Sequence, residues 1–282
     1  MAFKKLAGRV TLVTGAARGI GRAIATTFVE HGAPVALCDI DEAALGRTAD
    51  DLSGRGARVE AYRLDVTDAA AFADVFARVE HDLGPVDVLV NNAGIMPVGP
   101  FLELDPAVDR KQIEINLFGV IHGMRVALPR MGHRRRGHIV NIASSAGKAG
   151  IPNIAVYCGT KHAVIGLTEA VRIEMRGTGI DFTYVMPALV DTELTAGTGR
   201  MIWPPLVSAQ DVADAVVRAV RSGQVDVFVP RGARLATVLP VLLPRAVVEC
   251  IARLLHLDRI FTDEVDDDAR RTYRDRVFGG AR

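Results

Sequence analysis

Thr14-Gly15-Ala16-Ala17-Arg18-Gly19-Ile20-Gly21 follows directly on the apolar run Val10 to Val13 and leads into a helical pattern. Glycines in a strand-to-helix turn let the backbone approach a pyrophosphate, whose charge is favoured at a helix N-terminus. Asp39 closes the next apolar run, Val35 to Cys38, 18 residues after Gly21, where a carboxylate can accept from ribose hydroxyls. Strand, turn, helix and acid in this register predict a dinucleotide site. A glycine-rich turn beside a surface aspartate is the plainer alternative, and it leaves the register of the four features to chance.

Outward from that turn, short β-branched runs alternate with longer amphipathic segments to about residue 230. Crossover helices covering both faces of a parallel sheet produce this alternation. Strands are predicted at Val10 to Val13, Val35 to Cys38, Val59 to Leu64, Val86 to Val90, His138 to Ile142, Asp181 to Val185 and Val225 to Val229. Helices are predicted at Gly19 to His31, Glu42 to Leu52, Ala69 to Leu83, Pro106 to Pro129, Ile154 to Arg176 and Ala209 to Ser222. The expected fold is α/β: a Rossmann-type, doubly wound, seven-stranded parallel sheet flanked by helices, with a helical C-terminal extension. Residues 1–232 are expected to form the catalytic unit and 233–282 an appendage of the same domain.

The composition excludes several classes. Across 282 residues, 49% hydrophobic and 24% charged content with 27 glycines and 13 prolines describes a folded globular chain, not a disordered or collagenous one. Lys plus Arg (34) nearly equals Asp plus Glu (33), so no global field draws in nucleic acid. Cys38, Cys158 and Cys250 are an odd, scattered set, which predicts free thiols in a reducing, cytoplasmic setting. No apolar run reaches the length of a signal peptide core or of a membrane span.

The spacing inside the turn, three residues between Gly15 and Gly19 and one between Gly19 and Gly21, departs from the common dinucleotide pattern. With Asn91-Asn92-Ala93-Gly94 after the fourth strand and Tyr157-Cys158-Gly159-Thr160-Lys161 opening a later helix, it resembles the short-chain dehydrogenase/reductase family over about residues 6 to 230. The resemblance implies that Gly15, Arg18, Gly19, Ile20, Gly21, Asp39, Ile40, Asp65, Val66, Asn92, Ala93 and Gly94 surround a nicotinamide dinucleotide, Asp65 meeting the adenine. Pro187, Val190 and Thr192 after the sixth strand would hold the carboxamide, although Ala188 stands where the family usually has glycine and the turn is expected to be reshaped. Asp39 meets a 2′-phosphate with like charge and a diol with acceptors, so NAD is predicted over NADP. Arg18 pulls the other way if it serves a phosphate, and is neutral if it stays solvated.

Tyr157 and Lys161 are four apart and share a helix face. A nearby ammonium is expected to lower the phenol pKa, so that Tyr157 trades a proton with the substrate oxygen. By resemblance, Ser144, 13 residues upstream, holds that oxygen, and Asn116 links Lys161 to solvent through water. Ser145 competes with Ser144, but Gly147 falls at the family's offset from Ser144. The implied reaction is hydride transfer between nicotinamide C4 and a carbon bearing an alcohol or ketone. A 3-ketoacyl-type reductase using NADPH, a non-catalytic dinucleotide sensor and a methyltransferase are the rivals.

The expected substrate wall is apolar: Ile95, Met96, Ile151, Leu189, Leu194, Met201, Ile202, Trp203 and Leu206, with Met96, Ser144, Ile151, Leu189 and Trp203 foremost. It suits a hydrophobic steroid, terpenoid or lipid. The run from His133 to His138 reads as a solvated loop with no nucleic-acid role, Cys158 as a packing residue, and His122 and His162 lack metal-ligand spacing. Leu235 to Leu257 is read as core cover, a contact in a homodimer or homotetramer, or a weak membrane-surface patch.

Overall fold

The computed structural model describes residues 5–199, 205–235, 243–244, 246–247, 261–262 and 266–279. Seven parallel strands form one sheet: β1 (Val10–Thr14), β2 (Val35–Asp39), β3 (Val59–Arg63), β4 (Val86–Asn91), β5 (Gly137–Ile142), β6 (Ile180–Pro187) and β7 (Asp226–Val229), in the order β3-β2-β1-β4-β5-β6-β7. Each lies within a residue or two of its expected position. The chain moves outward from β1 to β3, then returns past β1 to place β4 on its other side. The reversal opens a crevice beyond the carboxyl ends of β1 and β4, where open α/β sheets take ligands.

Alternation along the buried strands sends neighbouring side chains to opposite faces. Val13, Leu37, Val88 and Val140 join one core with α1 (Gly19–Glu30), α2 (Glu42–Ser53) and α7 (Ala209–Ser222). Leu12, Leu89, Ile139 and Phe182 join the other with α3 (Ala69–Asp82), α5 (Gly119–Arg134) and α6 (Ala155–Glu174). Polar caps set the helix starts: Asp41 accepts from Ala44 N at 3.0 Å, Asp68 from the Ala70 and Ala71 amides at 2.9 Å, and Ser208 pairs with Asp211 in a capping box before α7.

Two details differ from the sequence reading. The helix expected to stop at Pro129 runs on: α4 (Pro106–Ile113) passes through a π-helical turn, Glu114–Phe118, into α5, which ends at Arg134. Pro129 removes one ladder bond, but Ala127 and Met131 on either side of it are completely buried, and their packing carries the helix through. The basic run is therefore the end of α5, an exposed turn at Arg135 and Arg136, and the start of β5. Arg135 closes the helix with φ 50, Arg134 pairs with Glu80 at 2.9 Å, and Arg136 pairs with Asp87 at 2.7 Å.

Among the described residues no helix is long and apolar enough to cross a membrane. Most of the 235–257 segment, Cys250 included, lies outside them. The final helix, α8 (Asp267–Phe278), is described and packs on the catalytic unit.

Candidate active site

The glycine turn is shaped by what stands behind it. Gly15 and Gly19 have φ of 65 and 52, a region that side chains disfavour. A Cβ on Gly15 would lie 2.9 Å from the Ala93 Cα, and one on Gly21 only 2.1 Å from the Gly15 carbonyl oxygen. Asn92 holds the turn from β4: its Nδ2 donates to the carbonyls of Thr14 (2.8 Å) and Gly15 (3.1 Å). The Thr14 hydroxyl in return accepts from the Asn92 and Ala93 amides at 3.0 and 3.1 Å. The result is a side-chain-free cradle at the N-terminus of α1, on which Ile20 is half-buried, and it fits a dinucleotide pyrophosphate.

At the end of β2 the two oxygens of Asp39 accept from the Ala17 and Asp41 amides, each at 3.0 Å. Each carboxylate oxygen has further lone-pair capacity for a ribose hydroxyl. Ile40, beside it, is exposed. Arg18 is partly exposed and already paired: it bonds Asp41 and lies 3.7 Å from Glu193. That pairing and the amide of Ala44 hold the Asp41 carboxyl below its usual range. Asp65 is turned to its own neighbours, accepting from the Thr67 amide (3.0 Å) and hydroxyl (2.7 Å), while the buried Val66 offers its carbonyl to His122 at 3.0 Å.

Pro187 ends β6, and Ala188 continues the pairing through a 2.7 Å bond to the Val229 carbonyl. Its φ is not positive, so alanine is accommodated there without backbone strain. Val190 bridges to Val207, and the Thr192 methyl comes 3.5 Å from where a Cβ on Gly19 would stand. The loop after β6 thereby leans over the glycine turn.

Ser144, Tyr157 and Lys161 converge. Ser144 leaves β5 in an extended conformation and caps a single 3-10 turn, Ser145–Gly147, accepting from Ala146 N at 3.1 Å. Gly147 makes the approach possible, because a Cβ there would stand 2.8 Å from the Lys161 carbonyl oxygen and 2.7 Å from Ile165 Cδ1. With hydrogen in that place the serine turn lies on α6, and the Ser144 hydroxyl stands close enough to the Tyr157 phenol to favour its ionised form. Lys161 donates to the Ile142 carbonyl at 2.8 Å, with its Nζ 5.6 Å from the centre of the Tyr157 ring.

The electrostatics correct the simple expectation. Burial pushes the Tyr157 phenol up, the hydrogen bond from Ser144 opposes this, and Lys161 is not among the groups that lower it. Burial also brings the Lys161 ammonium down to about 8. The chain alone therefore holds Tyr157 protonated.

Asn116, in the π-helical turn, spends its amide on a backbone: Oδ1 accepts from Ile95 N at 2.8 Å, and Nδ2 donates to the Ile95 carbonyl at 2.9 Å and Thr160 Oγ1 at 3.3 Å. It fixes the chain leaving β4. A Cβ on Gly94 would lie 3.2 Å from Asn116 Oδ1 and 3.7 Å from Lys161 Nζ, so the three share one space. π-turns recur at such sites.

Met96, Ala146, Ile154, Tyr157, Cys158 and Phe261 form a buried apolar cluster, flanked by Val98, Ile151, Leu189 and Leu194. Met96, Ile151 and Leu189 thus pack beside Tyr157, and Leu206 is exposed. Met201, Ile202 and Trp203 lie outside the described residues. The sequence reading missed the contribution of α8. Tyr273 Oη accepts from Met96 N at 2.8 Å, and buried Arg270 donates to the carbonyls of Met96 (2.9 Å), Leu194 (3.2 Å) and Ala196 (3.1 Å). Arg276 pairs with Glu193, linking α8 to the edge of the glycine turn. The spacing Arg270, Tyr273, Arg276 marks one helix face and was the available signal.

Cys38 and Cys158 are buried thiols, both pushed up by burial, and His122 and His162 bond backbone carbonyls. Among the described residues no group of three or more His, Cys, Asp or Glu could hold a metal.

Comparison with known proteins bears on this arrangement. Residues 9–203 match the family model described as short chain dehydrogenase. The chain is 38% identical over 188 residues to "Probable oxidoreductase EphD" of Mycobacterium tuberculosis, covering 66% of this chain but only 32% of that protein, about a third of its length. It is 29% identical over 257 residues to rat (Rattus norvegicus) "17-beta-hydroxysteroid dehydrogenase 13", covering 90% of this chain and 85% of that one. A solved short chain dehydrogenase/reductase from Burkholderia phymatum, in complex with NAD, superposes with a TM-score of 0.76 at 28% identity, covering 93% of this chain and 99% of that one. The chain belongs to the short-chain dehydrogenase family.

Proposed function

We propose that this chain is an oxidoreductase transferring a hydride between NAD(H) and a hydrophobic secondary alcohol or ketone of the steroid, terpenoid or lipid class. The observation that carries the reading is the convergence of Ser144 and Lys161 on the Tyr157 phenol, with Lys161 beneath the ring and an apolar cluster around it. Ser144 and Tyr157 hold the substrate oxygen between two hydroxyls. Tyr157, kept protonated by burial, gives its proton to a carbonyl oxygen in reduction and takes one back from the alcohol in oxidation. The bound dinucleotide supplies the hydride or accepts it. Lys161, close to neutrality, and Asn116 beside it provide the onward route for that proton, with water completing the relay.

Asp39 supports NAD, and so does the NAD held by the Burkholderia phymatum relative. The name of the rat relative supports a steroid-like substrate. A second reading, an NADPH-dependent 3-ketoacyl-type reductase, draws on the arginines 18, 22, 47 and 276 around a cavity of about 440 Å³ beside the turn. The pairing of Arg18 with Asp41 and of Arg276 with Glu193 weighs against it. A sensor without turnover needs none of the Ser144, Tyr157 and Lys161 geometry. Exposed Phe101, Leu102, Ile113 and Phe118 support a homodimer or homotetramer.

The test is a panel of hydroxylated steroids, terpenoids and aliphatic alcohols, read by NADH formation. Turnover of an apolar member is expected, together with its loss by about a hundredfold or more in Tyr157→Phe while cofactor binding persists. Wild type that binds neither nicotinamide cofactor, or Tyr157→Phe that turns over like wild type, sinks the reading.

A further inference from the structure

The wall of the catalytic pocket holds one polar group that hydride transfer does not use. Tyr273, on α8, is 4% exposed, and its Oη accepts a 2.8 Å hydrogen bond from the Met96 amide. A phenol also has one hydrogen to donate, and among the described residues none accepts it. Buried polar hydrogens are nearly always bonded, so a spare one asks for a partner.

The surroundings hold this hydroxyl in a fixed place. The guanidinium carbons of Arg270 and Arg276 lie 5.3 and 5.7 Å from the Tyr273 ring centre, and Arg270 ties the same helix to the Met96, Leu194 and Ala196 carbonyls. Met96, which the hydroxyl touches, packs in the buried cluster with Tyr157 and Phe261. The two phenols are also close enough that Tyr273 helps keep Tyr157 protonated.

We propose that Tyr273 anchors the substrate: its O–H donates to a second oxygen of the molecule whose first oxygen is held by Ser144 and Tyr157. The proposal rests on the hydride-transfer reading and narrows its substrate class to hydrophobic compounds with two oxygen functions, the distal one a hydrogen-bond acceptor. A compound that is apolar throughout leaves the hydrogen unspent.

Tyr273→Phe keeps the ring between the two guanidinium groups and removes the hydroxyl alone. Loss of the Met96 bond falls on every ligand alike, whereas loss of an anchor falls only on ligands with a second oxygen. Two matched pairs separate these effects: cyclohexanone with cyclohexanedione for a short span, and androstanone with androstanedione for a long one. Their Kd values are measured by calorimetry on the full chain saturated with NAD, which cannot reduce a ketone. Wild type is expected to bind the dione of at least one pair about tenfold more tightly than its monoketone, and Tyr273→Phe to erase that preference. Equal affinities within both pairs in wild type, or a preference that survives in Tyr273→Phe, overturn the anchor. Turnover on the alcohol panel with no dione preference removes the anchor and leaves the hydride-transfer reading standing; absence of turnover and of cofactor binding removes both.

Discussion

Lys161 Nζ lies 5.6 Å from the centre of the Tyr157 ring and donates at 2.8 Å to the carbonyl of Ile142, the last residue of β5. The strand end thus holds the cation beneath the phenol ring, and no hydrogen bond joins the ammonium to the phenol oxygen. An i, i+4 pair on one helix face is enough to bring the two together. It is the carbonyl of a neighbouring strand that decides where the charge sits.

Burial gives this lysine a pH signature. Its folded pKa is about 8 against an ordinary 10.5, so between those values the unfolded chain carries a proton that the folded one lacks. Stability from this group therefore rises with pH from about 8 to about 10.5, and below about 8 the fold bears the cost of a buried charge. The gap is worth about 3 kcal/mol. The thermal midpoint of wild type relative to Lys161→Met is expected to climb through that window. Parallel profiles for the two proteins would show that the lysine is not desolvated as described.

Gly147 tests whether the serine turn must lie on α6. An alanine Cβ would press on the Lys161 carbonyl at 2.8 Å, which is backbone and cannot step aside. Gly147→Ala is expected to lift Ser144 away from Tyr157, lowering kcat by about tenfold to a hundredfold and leaving the Kd for NADH within about twofold. Stopped-flow turnover and cofactor fluorescence titration read the two quantities separately. Unchanged kcat would mean that the turn shifts without carrying Ser144 with it.

These sites differ in how plainly the sequence announces them. The glycine turn, Asp39 and the Tyr157 and Lys161 pair are local patterns that follow from strand and helix periodicity, and the structure puts them at the start of α1, the end of β2 and on α6. The contacts that finish the site join distant parts of the chain, and no local rule reaches them: Asn92 to Thr14 across 78 residues, Tyr273 to Met96 across 177. Arg18 could be read as a phosphate ligand or as a solvated side chain, because its position was legible while its partner Asp41 was not. Pro129 looked like a stop because a local rule was read without the packing of Met131. The expected phenolate at Tyr157 failed for a similar reason, since spacing reports the neighbouring charge and not the burial that outweighs it.

Asn92 carries the long-range support of the glycine turn, through bonds of 2.8 and 3.1 Å to the Thr14 and Gly15 carbonyls. Asn92→Ala removes both bonds and leaves the turn held by the Thr14 hydroxyl, by Asp39 at the Ala17 amide and by the Cys38 carbonyl at the Ala16 amide. Cofactor Kd is expected to rise by about tenfold or more, from two lost hydrogen bonds. The substrate KM measured at saturating cofactor should stay near wild type. A variant that loses turnover at saturating cofactor but binds it normally would place Asn92 with the chemistry instead.

On the proposed reading, Asp39 sets the preference between the two nicotinamide cofactors. Its oxygens are already aimed by the Ala17 and Asp41 amides, so the carboxylate is a rigid acceptor for a ribose diol and a fixed like charge against a 2′-phosphate. Asp39→Ala is expected to lower kcat/KM for NAD by about tenfold to a hundredfold, as for loss of a hydrogen bond to a charged group, and to raise it for NADP. The gain with NADP should stay modest, because Arg18 remains engaged by Asp41. Asp39→Ala combined with Asp41→Asn removes the charge that pairs with that guanidinium and should raise NADP use further, while the asparagine oxygen keeps the cap on α2 and leaves helix stability nearly unchanged. Steady-state titrations with both cofactors measure all three proteins. Wild type that uses NADP as well as NAD, with no change on removing Asp39, would transfer the choice of cofactor to the arginines around the cavity.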